Sequence, residues 1–383
     1  MHNARTVWAR GIALSVATMM VGGCGGTAEK PPTLPTLGAT KVMPGEFGRN
    51  VVRIGGLSPT DVAGAAVMAL YSRDQPPAGW VLAADGDWRS AIIGAQFAAG
   101  PVYAGVLPIK ADYLPTAADD VLRRIKPPGF PKGHGLQALV LGHGTRNLFG
   151  DVDALGLKPS LLKAPSADRL ALDTVPYRGG FAGAYSDSVV IVSNEARDYA
   201  LPAAAWSAYS GDTVAFVHRD RVPAATRALL MQRRKLRVEQ PSIYVVGPSN
   251  VVSDAVLGAL RRYGPVKRIG GTTPAEVSVA LARFHDPKTG FGWGIKHGPA
   301  SVSLVNRRTW GNAVAALSFA ARGPQAPLLL LDRAGSLPAP VASYLRDLGA
   351  KGPSQAFAFG DRASIASGLL TRVDTLMGRQ AGA

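Results

Sequence analysis

The chain has 383 residues, of which 47% are hydrophobic and 7% aromatic. This composition supplies enough apolar side chains for two or three packed domains and excludes a disordered, low-complexity chain. Lys and Arg number 42 against 26 Asp and Glu, a formal net charge of +16, which indicates an anionic partner such as nucleic acid, anionic lipid or an acidic glycopolymer.

The N-terminal residues are typical of an export signal. Two arginines precede the apolar run 11–21, which is shorter than the roughly 20 residues that a membrane-spanning helix needs. Residues 1–23 are therefore predicted to form a signal peptide. The run leads into Val21-Gly22-Gly23-Cys24, which resembles the bacterial lipobox and implies that Cys24 is acylated. Cys24 is the only cysteine, so no disulfide can form within the chain.

Residues 24–50 are rich in Gly, Pro and Thr and show no hydrophobic periodicity. The prolines favour an extended conformation. This segment is predicted to be a flexible tether between the acylated cysteine and the first folded module.

Three copies of one pattern follow, and we place them at 51–162, 163–265 and 266–373, with a tail at 374–383. Repetition of several blocks in one order indicates tandem modules rather than a single large domain.

Each copy begins with a strand and a turn. The first and third copies share the sequence Arg-Ile-Gly-Gly, which comprises Arg53, Gly55 and Gly56 in one and Arg268, Gly270 and Gly271 in the other. A hydroxyl residue and a proline follow in both, as is typical of the first residues of a helix. The middle copy is degenerate, because it lacks both glycines and keeps a basic residue at Lys163.

Each copy then has a strand that leads into a helix rich in small residues, which permit close approach to a sheet. Ser90, Tyr199 and Asn312 occupy matching positions in these helices. A helix opened by proline follows. The last strand of each copy ends on a glycine, and we interpret these glycines as structural residues of the repeat: Gly142, Gly247 and Gly360.

Strands and helices alternate in all three copies, and some strands, such as 189–192 and 328–331, are continuously apolar. Such strands are typical of parallel sheets that helices cover on both faces. The sequence therefore predicts an α/β fold of three tandem, doubly wound modules with mainly parallel sheets.

The order of these blocks resembles the cell-wall-binding repeat 2 family over essentially all of 51–373. The resemblance implies three modules with pseudo-threefold symmetry, held non-covalently by an anionic secondary wall polymer. The chain departs from the family where the small-residue helix usually begins with Asp and here has Ser90, Tyr199 or Asn312. We therefore expect the binding surface to be remodelled.

Several basic residues lie where predicted strands meet loops. In doubly wound sheets ligands bind beyond the carboxyl ends of the strands, and guanidinium groups there suit phosphate or carboxylate. The alternative is an ordinary structural or solvated role. The candidate polymer-binding residues are Arg53, Lys163, Arg268, Arg89, Arg197, Arg307 and Arg308.

The sequence contains none of the common nucleophile, zinc-protease or phosphate-loop motifs. Asp85 and Asp87 could act as an acid/base pair, but the third copy has no matching pair, and solvated loop residues are the simpler interpretation. His134 and His143 could meet Asp151 and Asp153 at a metal only if separate loops converge. We predict no enzymatic activity, no cofactor and no metal.

These observations favour an exported lipoprotein that lies on the outer face of the bacterial cytoplasmic membrane and binds an anionic cell-wall or envelope polymer, bridging membrane and wall. One alternative is an envelope module that binds protein partners. Another is a hydrolase of envelope glycans, which would need convergent carboxylates in one cleft of a single copy. Nucleic acid is the least favoured partner, because export separates the protein from it.

Overall fold

The structure, a computed structural model, describes residues 48–235 and 240–378. The predicted signal peptide, Cys24 and the predicted tether up to residue 47 lie outside the described residues, as do residues 379–383 of the predicted tail. Within the two described ranges no helix combines the length and apolarity needed to cross a membrane.

Strands and helices alternate along the described chain. The first elements are β1 (Val51–Ile54), α1 (Pro59–Leu70), β2 (Trp80–Ala84), α2 (Trp88–Ala95), β3 (Gly105–Ile109), α3 (Thr116–Arg124), β4 (Ala138–Leu141), α4 (Arg146–Ala154) and β5 (Pro159–Leu162). The next are α5 (Ala167–Ala182), β6 (Ser188–Ser193), α6 (Arg197–Ser210), β7 (Thr213–Val217), α7 (Ala224–Lys235), β8 (Ser242–Val246), α8 (Asp254–Leu260) and β9 (Val266–Ile269). The last are α9 (Pro274–Arg283), β10 (Ser301–Asn306), a 3-10 helix (Arg307–Asn312), α10 (Ala313–Ala321), β11 (Leu328–Leu331), α11 (Ala339–Gly349), β12 (Gln355–Phe359) and α12 (Ser367–Met377).

The described strands form three four-stranded sheets. Sheet 1 has the order β3-β2-β4-β5, sheet 2 has β7-β6-β8-β9, and sheet 3 has β11-β10-β12-β1. Every strand pair is parallel. Central strands such as β2 and β6 are buried at every residue, because helices cover both faces of a parallel sheet. The predicted α/β fold of three parallel-sheet modules is confirmed.

The sheets are offset by one strand from the repeat copies. Strand β9 begins the third copy in sequence but pairs with β8 in sheet 2. Strand β1 begins the first copy but pairs with β12, at the opposite end of the described chain, in sheet 3. One edge strand of each sheet (β5, β9 or β1) therefore comes from the segment that leads into the next module. Because β1 pairs with the last strand, the three modules form a closed ring.

The modules pack in a cyclic order with pseudo-threefold symmetry. Helix α2 of the first module contacts β7 of the second, α6 contacts β11 of the third, and α10 contacts β3 of the first. These helices are rich in buried alanine. The packing is close: a Cβ atom on Gly94 of α2 would lie 2.9 Å from Cγ1 of Val81 in β2. Small residues thus allow each helix to lie tightly between its own sheet and the next.

Helices α1 and α9 begin in the same way. Ser58 accepts a hydrogen bond from the Asp61 amide, and Thr273 accepts one from the Glu276 amide. In each case the acidic side chain accepts a hydrogen bond from the backbone of the capping residue, so the N-terminus of each helix forms a capping box. Two amides that the helix leaves unpaired are thereby satisfied at each start.

Candidate functional site

Arg53 and Arg268 have equivalent structural roles inside the protein. Arg53 is 3% exposed, and its guanidinium donates to the carbonyl oxygens of Gly360 at 3.0 Å and Ile365 at 2.7 Å. Arg268 donates in the same way to the carbonyl oxygens of Gly247 at 2.8 Å and Val252 at 2.7 Å. Both side chains therefore fix the loop that follows the neighbouring strand, and a polymer has little access to Arg53.

Lys163 does not occupy the position that matches these arginines. Strand β5 pairs Leu161 with Val140, in the same register in which β9 pairs Arg268 with Val245. The matching residue of sheet 1 is therefore Leu161. Lys163 lies two residues further along and is exposed at the carboxyl end of sheet 1.

Arg89, Arg197 and Arg307 connect the modules to one another. Arg89 of α2 donates from Nε to the Asn194 carbonyl oxygen at 3.1 Å, in the loop after β6. Arg197 of α6 donates to the carbonyl oxygen of Arg307 at 3.2 Å, in the segment after β10. Arg307 returns a bond to Asp198 at 2.8 Å. These contacts bring the loops after β2, β6 and β10 together on one side of the molecule.

We call that side the carboxyl-end surface, meaning the loops that follow the carboxyl ends of the strands in all three sheets. Arg308 is exposed there. Further exposed basic residues of this surface, which sequence reasoning did not single out, are Arg146, Arg219, Arg221 and Arg333. Each lies within a few residues of a strand's carboxyl end, and that position was the available signal.

The second glycine of each Arg-Ile-Gly-Gly turn is required by close packing. A Cβ atom on Gly56 would lie 2.6 Å from the Val62 backbone nitrogen, and one on Gly271 would lie 2.8 Å from Cβ of Glu276. Gly270 meets only ordinary contacts, and Gly55 is buried in the same turn. The turn therefore tolerates a side chain poorly at the second position, where the helix begins.

The residues after β4, β8 and β12 lie at the switch point of each sheet, where these strands pair with β2, β6 and β10. Gly142, Gly247 and Gly360 have φ of +80°, +126° and +126°, in the region that favours glycine. Ligands of doubly wound sheets bind in the crevice at this point. The switch point is therefore the equivalent position in all three modules.

The three switch points differ in what fills them. In module 2 the Tyr199 hydroxyl donates to the Thr272 carbonyl oxygen at 2.8 Å, so the side chain crosses the crevice. In module 3 a Cβ atom on Gly360 would lie 2.6 Å from Nδ2 of Asn312, whose side chain occupies the site. In module 1 the matching residue is the smaller Ser90, whose Oγ likewise lies close to where a Cβ atom on Gly142 would be, and it lines a cleft of about 580 Å³.

Asp87 lies at the centre of the module 1 cleft. It caps α2 by accepting a bond from the Ser90 amide, and the Ser90 hydroxyl donates to Asp87 Oδ2 at 2.5 Å. His143 Nδ1 lies 3.6 Å from the same oxygen. Nearby, Lys110 forms an ion pair with Asp85 at 2.5 Å, and this hydrogen bond raises the pKa of Lys110.

The metal site considered from the sequence is not assembled. His143 lies beside Asp87 rather than with Asp151, which instead accepts a bond from the Leu114 amide at 3.3 Å. Among the described residues no group of three or more His, Cys, Asp or Glu side chains converges as metal ligands would.

No family model matches the chain, and no curated protein matches it. Its fold is similar to that of Cwp6 from Clostridium difficile, with a TM-score of 0.69 and 13% identity over 90% of this chain and 51% of that chain. Cwp8 from the same organism has a TM-score of 0.67 and 14% identity over 86% of this chain and 52% of that one. The chain thus spans about half the length of either neighbour, and the common fold is consistent with the cell-wall-binding repeat architecture expected from the sequence.

Proposed function

We propose that this protein is a non-enzymatic, lipid-anchored protein of the cell envelope that binds an anionic wall or envelope polymer through its carboxyl-end surface. The observation that carries the proposal is the grouping of exposed basic residues on that surface in all three modules, including Lys163, Arg219 and Arg308. The net charge of +16 favours an anionic partner on general electrostatic grounds. The shared fold of two cell-wall proteins supports the compartment.

The arrangement suits a long polymer better than a single small anion. Contacts between Arg89 and Asn194 and between Arg197 and Arg307 hold the three sets of loops together. A polymer can therefore contact more than one module at once, and several weak contacts then give a strong total affinity. Acylation of Cys24 would anchor the chain in the membrane, so polymer binding would link membrane to wall.

Co-sedimentation with purified cell walls tests the proposal. The full-length chain, solubilised in mild detergent, is mixed with walls before and after chemical removal of their anionic polymers, across a salt series. Binding should require the polymer and weaken as salt rises, because exposed charges are screened over about 10 Å at 0.1 M salt. If binding is unchanged by removal of the polymer and by added salt, the anionic polymer has no role in it, and a protein partner is favoured.

A matched pair of variants localises the surface. Arg308→Ala/Arg333→Ala removes two exposed charges from the loops after β10 and β11. Arg261→Ala/Arg262→Ala removes two exposed charges beyond α8, towards the amino ends of the strands. We expect the first pair to bind walls about three- to tenfold more weakly and the second to bind as the unaltered protein does. If both double variants lost the same amount of wall binding, net charge alone would account for the binding.

A further inference from the structure

The cleft of module 1 combines acidic and basic side chains. Its lining includes two carboxylates, Asp85 and Asp87, together with Arg89, Ser90 and His143. The matching residues in module 2 are Asn194 and Ala196, and in module 3 they are Arg307 and Thr309. The other two modules therefore lack the pair of carboxylates at the matching positions.

The carboxylates in this cleft already have partial charge compensation. Lys110 pairs with Oδ2 of Asp85 at 2.5 Å, and the amide and hydroxyl of Ser90 both donate to Asp87. A second cation is thus not required to balance Asp85. Each carboxylate group has about four acceptor positions, so both retain acceptor capacity towards the cleft. Arg89 also lines the cleft, so together with Lys110 it offsets the two carboxylates and the cleft carries little net charge, which suits an uncharged ligand.

His143 adds to the polar lining from the loop after β4. Its side chain is 70% exposed, whereas that of Asp87 is 22% exposed, so the ring is the more accessible of the two groups. The imidazole can donate or accept a hydrogen bond. A ligand that carries several adjacent hydroxyl groups can donate to the carboxylates and bond to the ring at the same time.

We propose that the module 1 cleft binds an uncharged sugar unit, recognised by hydrogen bonds from its hydroxyl groups to Asp85 and Asp87. The volume of about 580 Å³ falls in the range of small-molecule sites. The position at the carboxyl ends of β2 and β4 is where doubly wound sheets bind ligands. The cleft lies on the carboxyl-end surface and shares Arg89 with its basic residues, but a single uncharged sugar can be tested there without the polymer.

The position of Tyr199 in module 2 suggests a substitution that would block the cleft of module 1. Tyr199 crosses its crevice to the carbonyl oxygen of Thr272, and the strand registers place Pro165 at the position that matches Thr272. In Ser90→Tyr, the new hydroxyl can reach the Pro165 carbonyl oxygen and fill the cleft. Ser90→Ala is the matched control, because it removes the hydroxyl but leaves the space open.

Saturation-transfer NMR on the full-length chain in detergent tests the site with a fixed set of probes: glucose, galactose, rhamnose, N-acetylglucosamine, N-acetylmannosamine and inorganic phosphate. At least one sugar should bind. Its binding should be abolished in Ser90→Tyr and should change by less than about threefold in Ser90→Ala, since both carboxylates stay in place and the amide of residue 90 still donates to Asp87. Asp87→Asn keeps a helix-capping side chain and should bind the sugar roughly tenfold more weakly, because a charged acceptor is lost.

Urea unfolding checks that each variant is folded before its binding is compared. The proposal would be overturned if none of the five sugars gave a saturation-transfer signal. It would also be overturned by a sugar signal that persists unchanged in Ser90→Tyr and Asp87→Asn, or by binding of phosphate in place of every sugar.

Discussion

Arg53 in the first strand donates a hydrogen bond of 3.0 Å to the carbonyl oxygen of Gly360, 307 residues further along the chain. The same guanidinium also bonds the carbonyl oxygen of Asp361 at 2.8 Å. Together with the pairing of β1 and β12, this contact joins the start of the first copy to the end of the third. The ring of modules is therefore closed by contacts between residues 307 and 308 positions apart in the sequence.

Replacement of Arg53 should destabilise the protein more than the same change at Arg268. In Arg53→Met the buried carbonyl oxygens of Gly360 and Ile365 lose a charged donor, and we expect a loss of about 3 kcal/mol in the free energy of unfolding. Arg268 is 19% exposed at its side chain, so water can replace part of what Arg268→Met removes. Urea unfolding of the two variants measures both losses. Equal losses would mean that burial does not distinguish the two arginines.

The pH dependence of stability should contain a contribution from Asp286 that is lost in acid. Burial raises the pKa of this carboxyl, but hydrogen bonds from Lys267 at 2.6 Å and from the Tyr244 hydroxyl outweigh it and lower the pKa to about 2. A carboxyl with a lowered pKa in the folded state stabilises the fold above its unfolded pKa, near 3.8, and loses that effect as the pH falls towards 2. The contribution is about 2 kcal/mol.

Comparison with Asp286→Asn isolates this contribution. The difference in unfolding free energy between the unaltered protein and the variant should be largest above pH 5 and should shrink as the pH falls below 4. A difference that stays constant from pH 6 to pH 3 would contradict the assignment.

Asp212 should contribute to the pH dependence of the unfolding free energy with the opposite sign. This carboxyl is buried and accepts a bond from the Trp206 ring nitrogen at 2.7 Å. Burial raises its pKa from 3.8 to about 6, against the effect of that bond and of the Arg233 charge. Between pH 3.8 and 6 the folded protein binds more protons at this site than the unfolded chain, so its contribution to stability decreases as pH rises, by on the order of 3 kcal/mol.

Thermal or urea unfolding of Asp212→Asn at pH 4.5 and pH 7 tests this contribution. The variant should lose less stability than the unaltered protein when the pH is raised from 4.5 to 7. The sign would be wrong if the variant lost more.

A methyl group should be tolerated poorly at the second glycine of the Arg-Ile-Gly-Gly turn and well at the first. In Gly271→Ala the new Cβ would meet the Glu276 Cβ at 2.8 Å and the Val277 nitrogen at 2.9 Å, which forces the start of α9 to move. In Gly270→Ala the nearest atom is a side-chain carbon of Arg268 at 3.7 Å. We expect Gly271→Ala to cost about 1–3 kcal/mol and Gly270→Ala under about 1 kcal/mol.

Urea unfolding midpoints of the two variants provide the comparison, with each serving as the control for the other. Losses of similar size would indicate that the turn, and not the contact with the helix, sets the requirement for glycine.

The sequence by itself determined the class of fold. Continuous apolar runs such as 189–192 and 328–331 required cover on both faces, and that burial requirement holds wherever the strands lie in the molecule. The helix starts at Ser58 and Thr273 were also predictable, because capping depends on residues within one turn of each other. Repetition of these local signals was sufficient to predict three modules.

Only the tertiary structure decided which strands share a sheet and what each basic residue does. The sequence pattern of β1 is the same whether it pairs within its own copy or with β12, because burial and alternation carry no information about the partner. For the same reason Arg53 and Arg308 could not be distinguished in sequence, although one lies buried against carbonyl oxygens and the other is exposed. The module 1 cleft is lined by Ser90 of α2 and by His143 of the loop after β4, so its existence follows from the packing of separate elements and not from local sequence.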